Sequence, residues 1–227
     1  MPILYVIIFI PQKSVKNRYF VEGENMILEE LIRRYPQLRD CSYDIKDVYN
    51  GLLECFQNGG RLYICGNGGS AADSLHMVGE LVKSFVVKRH LDPEFVRNAD
   101  SELVKNLQGA LPAFALVENA ALATAYGNDV NPDYTFAQQV YAYARKGDCV
   151  MGISTSGNSK NVIYALKCAR ARGAVTLGLT GRDGGKMKEV CDACIIVPEQ
   201  ETYKIQELHL PIYHALCMML EEEIWSE

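Results

Sequence analysis

The sequence predicts an α/β protein built on a parallel five-stranded sheet with helices on both faces. Three observations carry this. Five short β-rich runs, at residues 61–65, 112–116, 149–153, 175–179 and 194–197, are apolar at successive positions, as in strands buried on both sides. Helical stretches separate the runs, the connection that parallel neighbours need. Two loops rich in glycine and hydroxyl side chains follow directly on strands, where sheets of this kind bind ligands.

Along the chain, residues 3–10 come first, strongly apolar between Pro2 and Pro11. They lack a basic lead and a small-residue cleavage site, so they do not read as a signal peptide. A docked strand, or an upstream extension with Met26 as the working start, are the alternatives. Residues 1–25 are therefore set apart as an N-terminal extension of unknown role, and 26–227 as one domain. Helical periodicity is clear at 26–35 and 45–56. Further helices are expected at 70–85, 119–126, 134–145 and 160–172, the last stopped by Gly173 just after Arg170 and Arg172. A long final helix covers 203–224; Pro211 should kink it or lie within its first turn. The charged stretch 87–111 interrupts this rhythm, and residues 92–107 are expected to add a helix or a lid near the site.

Composition narrows the function. The chain has 227 residues, 48% of them hydrophobic, enough for one large α/β core. Its net charge of −5, without a basic tract, argues against nucleic-acid or anionic-membrane partners. No apolar run reaches the roughly 18 residues of a spanning helix. The eight cysteines are scattered, and the sequence is otherwise that of an intracellular protein, so they read as reduced core residues. Cys191 and Cys194 precede a strand instead of opening a helix after one, which favours packing over redox or metal chemistry.

The two loops are the candidate binding site. Gly66-Asn67-Gly68-Gly69-Ser70 follows the first strand, and Ser154-Thr155-Ser156-Gly157-Asn158-Ser159 the third. Glycines let backbone approach a ligand closely. The next helix offers free N–H groups and the positive end of its dipole, which suits a phosphate. Ser154, Thr155, Ser156 and Ser159 add neutral donors; the bland alternative is that Ser159 only caps its helix. Gly66-x-Gly68-x-x-Ala71 formally fits a dinucleotide fingerprint, but no acid closes the next strand, so no nucleotide cofactor is expected. Residues 181–187 miss the P-loop spacing by one and read as a turn. Ser156 lacks the Gly-x-Ser-x-Gly frame of a nucleophile elbow.

His76 and Glu80, four apart, share a helix face. Lying about 9 Å down the axis from the helix start, they are too deep for a phosphate there and must face another element. The final helix, with Gln206, His209 and His214, is the candidate. A histidine–carboxylate pair can move a proton between adjacent carbons or hold a divalent ion that polarises a carbonyl. The plain alternative is a His–Glu contact with buried, satisfied histidines. Asn128 and Asp129, after Gly127, alone signal a turn.

Residues 65–76, 152–162 and 179–186, with Ile205-Gln206-Glu207-Leu208-His209 and His214, together resemble SIS (sugar isomerase) domains of the phosphoheptose isomerase type, in family order. The resemblance implies a three-layer SIS-type fold for residues 26–227 and a cytoplasmic homotetramer with sites at subunit interfaces. It implies isomerisation of sedoheptulose 7-phosphate to a heptose 7-phosphate. Ser154, Thr155, Ser156 and Ser159 would hold the phosphate, and Asn67, Gly68, Gly69, Asn128 and Asp129, with Gln206, would line the sugar. Glu80 and His214 would be the acid/base pair, with a buried Glu80 of raised pKa moving the proton. His76, Glu80, Gln206 and His214 match a zinc set described for some members, one ion per subunit. The family's arginine four residues after the glutamate is Ser84 here, with Lys83 beside it. The competing readings are a non-catalytic SIS module that binds phosphosugar and regulates a partner such as a replication initiator, and a sugar-phosphate sensor, for which no helix-turn-helix output exists.

Overall fold

The structure, a computed structural model, describes residues 25–226, so the apolar stretch at residues 3–10 lies outside the described residues. Five strands form one sheet: β1 (Leu62–Gly66), β2 (Ala113–Ala115), β3 (Cys149–Ser154), β4 (Val175–Thr180) and β5 (Ala193–Ile196). All pairs are parallel, in the order β2-β1-β3-β4-β5. The chain moves outward from β1 to β2, then returns to the other side of β1 to lay down β3. That reversal makes a switch point between β1 and β3, where a crevice opens beyond the strand ends.

The strands are apolar throughout because both faces are covered. Leu62 and Ile64 of β1 join one core cluster, and Tyr63 and Cys65 the other. On the first face lie α1 (Met26–Arg34), α2 (Ser42–Gln57), α3 (Gly69–Val82) and the final helix. Asn25 caps α1, accepting hydrogen bonds from the Ile27 and Leu28 amides. Two short helices, α4 (Pro93–Asn98) and α5 (Ser101–Asn106), and then α6 (Ala120–Asp129) bury no side chains; α7 (Thr135–Tyr143), α8 (Lys160–Ala171) and α9 (Met187–Val190) cover the second face. The final helix is α10 (Thr202–Trp225). Gly173, at φ 76°, follows α8 as expected. All eight cysteines are free thiols, six of them on strands or packed helices and none disulfide-bonded.

Three local expectations change. α3 stops at Val82, not at residue 85, because the amides of Phe85, Val86 and Val87 donate to the Glu221 carboxylate instead of continuing a helical ladder. Of the two places expected for Pro211, the first turn is excluded: it falls in the middle of α10, whose helical residues continue on both sides of it. The missing donor is tolerated where Leu208, His209, Ile212 and Tyr213 bury the surrounding turns. Residues 92–107 form two helices, not one, capped by Asp92 and Asp100. The segment joins the body beside the far end of α10, where Trp225 Nε1 donates to the His90 carbonyl, and does not cover the loops.

Candidate active site

The glycine loop and the hydroxyl loop flank the switch point and are tied together. Asn67 and Asn161 exchange two side-chain amide hydrogen bonds, each 2.9 Å. Gly68, at φ 56°, turns the chain into α3 without a side-chain cap. Ser159 does not cap α8: its Oγ pairs with Ser154 Oγ at 2.9 Å, so the bland reading of that serine fails and no side chain caps the helix end. Ser154 is buried, while Thr155, Ser156 and Ser159 are half-buried. The 181–187 turn braces this loop from behind. Asn158 Oδ1 accepts from the Lys186 amide and the Gly157 carbonyl from the Met187 amide, and the Gly184 carbonyl packs where any side chain at Gly157 would stand. Two helix N-termini without side-chain caps and a cluster of hydroxyls at one strand edge line a crevice whose donors suit an anion.

Below the crevice, α3 and α10 run side by side in the same direction. Gln206 lies against Gly69, so close that a side chain there would collide with its amide, and two turns further Tyr213 and His214 meet His76. His76 Nε2 is 3.3 Å from Glu80 Oε1 and 3.4 Å from His214 Nε2. The two imidazoles cross edge to face. Lys83 Nζ donates to Glu80 Oε2 at 2.8 Å. The pKa expectation for Glu80 is therefore corrected. Burial pushes its carboxyl up, but the Lys83 ammonium and His76 outweigh burial and hold it below the usual range. His214 is pushed down, by burial first and by His76 second, against the pull of Glu80. At neutral pH this seam thus presents a carboxylate beside a neutral imidazole. Asp73, one turn above His76, is pushed up to about 6, chiefly by burial.

The donors of the expected zinc set divide. His76 stands from Glu80 and from His214 at about the edge length of a tetrahedron with bonds of 2.0–2.1 Å, which is about 3.3–3.4 Å. The donor types and these two separations suit zinc, but among the described residues no group of three His, Cys, Asp or Glu is arranged to hold a metal ion. Gln206 faces Gly69 at the other end of the seam. Asn128 and Asp129 bond to one another on the exposed end of α6, and no hydrogen bond links them to either loop among the described residues. His209 turns to the sheet. It is fully buried against the Thr180 carbonyl, and burial pushes its pKa down to about 4, so it is a core histidine.

Sequence reasoning missed Arg89. Its buried guanidinium donates to the Glu80 and Leu81 carbonyls at the end of α3 and pairs with Glu221 at 2.7 Å. A cation at a helix C-terminus is favourable, and this one anchors the backbone that carries Glu80. One signal was present: Glu221 lies seven residues after His214, hence on the same helix face, within an otherwise apolar stripe.

A doubly covered parallel sheet, a polar crevice at its switch point and a carboxylate–imidazole seam beneath it define the class as an α/β protein with a ligand site at the strand ends. Two family models described as SIS domain match residues 29–111 and 123–220. The chain is 44% identical over 172 residues to a phosphoheptose isomerase of Aliarcobacter butzleri, covering 76% of this chain and 81% of that one. It is 41% identical over 206 residues to a phosphoheptose isomerase of Pelobacter propionicus, covering 91% and 96%. The structure of phosphoheptose isomerase GmhA from Neisseria gonorrhoeae superposes with a TM-score of 0.69 at 35% identity, over 86% of this chain and 94% of that one. The chain belongs to the SIS-domain family, among the phosphoheptose isomerases, and it is an isomerase.

Proposed function

We propose that the protein interconverts sedoheptulose 7-phosphate and D-glycero-D-manno-heptose 7-phosphate through an enediol, with Glu80 and His214 as the acid/base pair. One observation carries this reading: α3 and α10 bring Glu80, His76 and His214 from distant parts of the chain into one seam beneath an anion crevice. Ser154, Thr155, Ser156 and Ser159 bind the phosphate with the N-terminus of α8. Asn67, Gly68, Gly69 and Gln206 line the sugar. Glu80, ionised at neutral pH, takes a proton from carbon 1 and returns it to carbon 2. The hydroxyl on carbon 1 gives up its proton as the new carbonyl forms, and the oxygen on carbon 2 gains one, so no atoms are lost. The N–H of neutral His214 faces the oxygen on which charge grows.

His76, Glu80 and His214, without Gln206, are the residues that would hold one zinc ion, which when bound would polarise the carbonyl. The exposed seam (the His76 side chain is 44% exposed) and the remoteness of Asn128 and Asp129 support a homotetramer in which a neighbouring subunit completes each site. Among the described residues no helix is long and apolar enough to cross a membrane, which fits the proposed cytoplasmic location. The test offers sedoheptulose 7-phosphate to the purified protein and follows aldose formation, with and without a chelator, beside light scattering. Aldose formation by a tetramer is expected. No aldose under either condition would overturn the substrate assignment, and a catalytically active monomer would overturn the shared site.

A further inference from the structure

Two residues outside that acid/base pair are attached to it. Tyr213 is 1% exposed, and its ring meets the imidazoles of His76 and His214 edge-on, with centroids 5.5 and 5.0 Å away. Its hydroxyl lies 2.9 Å from His76 Nδ1 and donates to Asp73 Oδ1 at 3.4 Å. A phenol has one proton to give, and a carboxylate can only accept. With that proton committed to Asp73, the short contact to the ring requires Nδ1 to carry hydrogen and donate to the tyrosine oxygen. The opposite polarity would strip Asp73 of this donor, although its Oδ2 is already buried without a partner, and unsatisfied buried acceptors are costly. In the favoured arrangement Nε2 holds the lone pair. That atom faces Glu80 and His214.

We propose that Asp73 and Tyr213 are positioning residues: an Asp73–Tyr213–His76 chain holds His76 in its Nδ1–H tautomer and aims the Nε2 lone pair into the seam. For its effect on turnover the inference rests on the isomerase reading above; the tautomer itself is a property of the free protein. Groups that hydrogen-bond the far nitrogen of a working histidine set its ring orientation and tautomer, and their loss costs about 10–100-fold in activity.

The test uses the full chain labelled with [15N]histidine. Two-bond proton–nitrogen correlation spectra distinguish the tautomers, and His76→Gln identifies the His76 signals among the four histidines. The wild type should show the Nδ1–H pattern. In Asp73→Leu the Tyr213 hydroxyl loses its carboxylate and turns to Nδ1, so the pattern should invert to Nε2–H, an outcome that a mere packing role would not produce. Tyr213→Phe should give a mixture of tautomers. In both variants kcat should fall about 10–100-fold with KM nearly unchanged. An Nε2–H pattern in the wild type, or an unchanged pattern in Asp73→Leu, overturns the proposal. Should Tyr213→Phe fail to fold, the wild type and Asp73→Leu, altered at a half-exposed position, still decide it. A wild type that does not turn over the sugar phosphate overturns the substrate reading alone, because the spectra need no substrate.

Discussion

Near its C-terminal end the seam between α3 and α10 holds two carboxylate–cation pairs, Glu221 with Arg89 and Glu80 with Lys83, and their surroundings differ. Glu221 and Arg89 are both fully buried. Glu221 accepts four hydrogen bonds, from the amides of Phe85, Val86 and Val87 and from Arg89 Nε, at 2.7–3.0 Å. Burial pushes its pKa up, but the amides and Arg89 prevail and lower it. Nothing in this pair is free to exchange partners. Glu80 instead meets two surface side chains, Lys83 at 59% exposure and His76 at 44%. Its partners can yield to a ligand at little cost, since exposed ion pairs contribute about 0–1 kcal/mol. Enclosure and the number of fixed donors, not the charges themselves, separate the carboxylate locked into the fold from the one whose partners can be displaced.

Substitutions at the two pairs should therefore part cleanly. Glu80→Gln should lower kcat by about 10²–10⁴-fold, the usual worth of a general base, while denaturant unfolding changes by no more than about 0.5 kcal/mol. Normal turnover in that variant would erase the distinction. Arg89→Leu should do the converse and destabilise the fold by about 3–5 kcal/mol, read from chemical denaturation, because it strands a buried carboxylate. The contribution of Glu221 also has a pH signature. Its depressed pKa makes the contribution complete above the unfolded value of about 4.3 and lost as the pH falls through the lower folded value.

A third substitution sharpens the contrast along α10 itself, where His209 is sealed in the core and His214, five residues on, faces the seam. The unfolded His209 takes a proton near pH 6.5, but the folded one does so only near 4. Stability is then full above pH 6.5 and falls by up to about 3 kcal/mol on the way down to pH 4. His209→Leu should flatten that part of the stability–pH curve, and an unchanged slope would refute the assignment. The smallest effect belongs to the crevice. Ser156→Ala, which removes one neutral donor, should raise KM about 3–10-fold, consistent with about 1 kcal/mol, and leave kcat nearly alone. An unchanged KM would remove Ser156 from the phosphate site.

Much of this was legible beforehand. Each strand announced itself as a doubly buried apolar run, and the two loops by glycines and hydroxyls at strand ends. The i, i+4 spacing of His76 and Glu80, with their depth along α3, pointed to α10 as their neighbour, and there His76 meets His214. What escaped were relations across distance. Tyr213 reads as another core aromatic until Asp73 and His76 are placed against its hydroxyl. Arg89 reads as surface charge in a charged insertion until Glu221 closes over it. The lowered pKa of Glu80 depends on Lys83 reaching back one turn, which residue spacing permits but does not compel.

The sequence alone determined the layered α/β architecture and the loops at the strand ends, because side-chain hydrophobicity, backbone freedom at glycine and helical period are local properties. Only the tertiary structure decided which histidine is core and which faces the seam, and which glutamate is held by fixed buried donors and which meets exposed partners. Those outcomes follow from the desolvation and hydrogen-bond partners that a group meets after folding, and for Glu221 and His76 those partners include segments more than a hundred residues away.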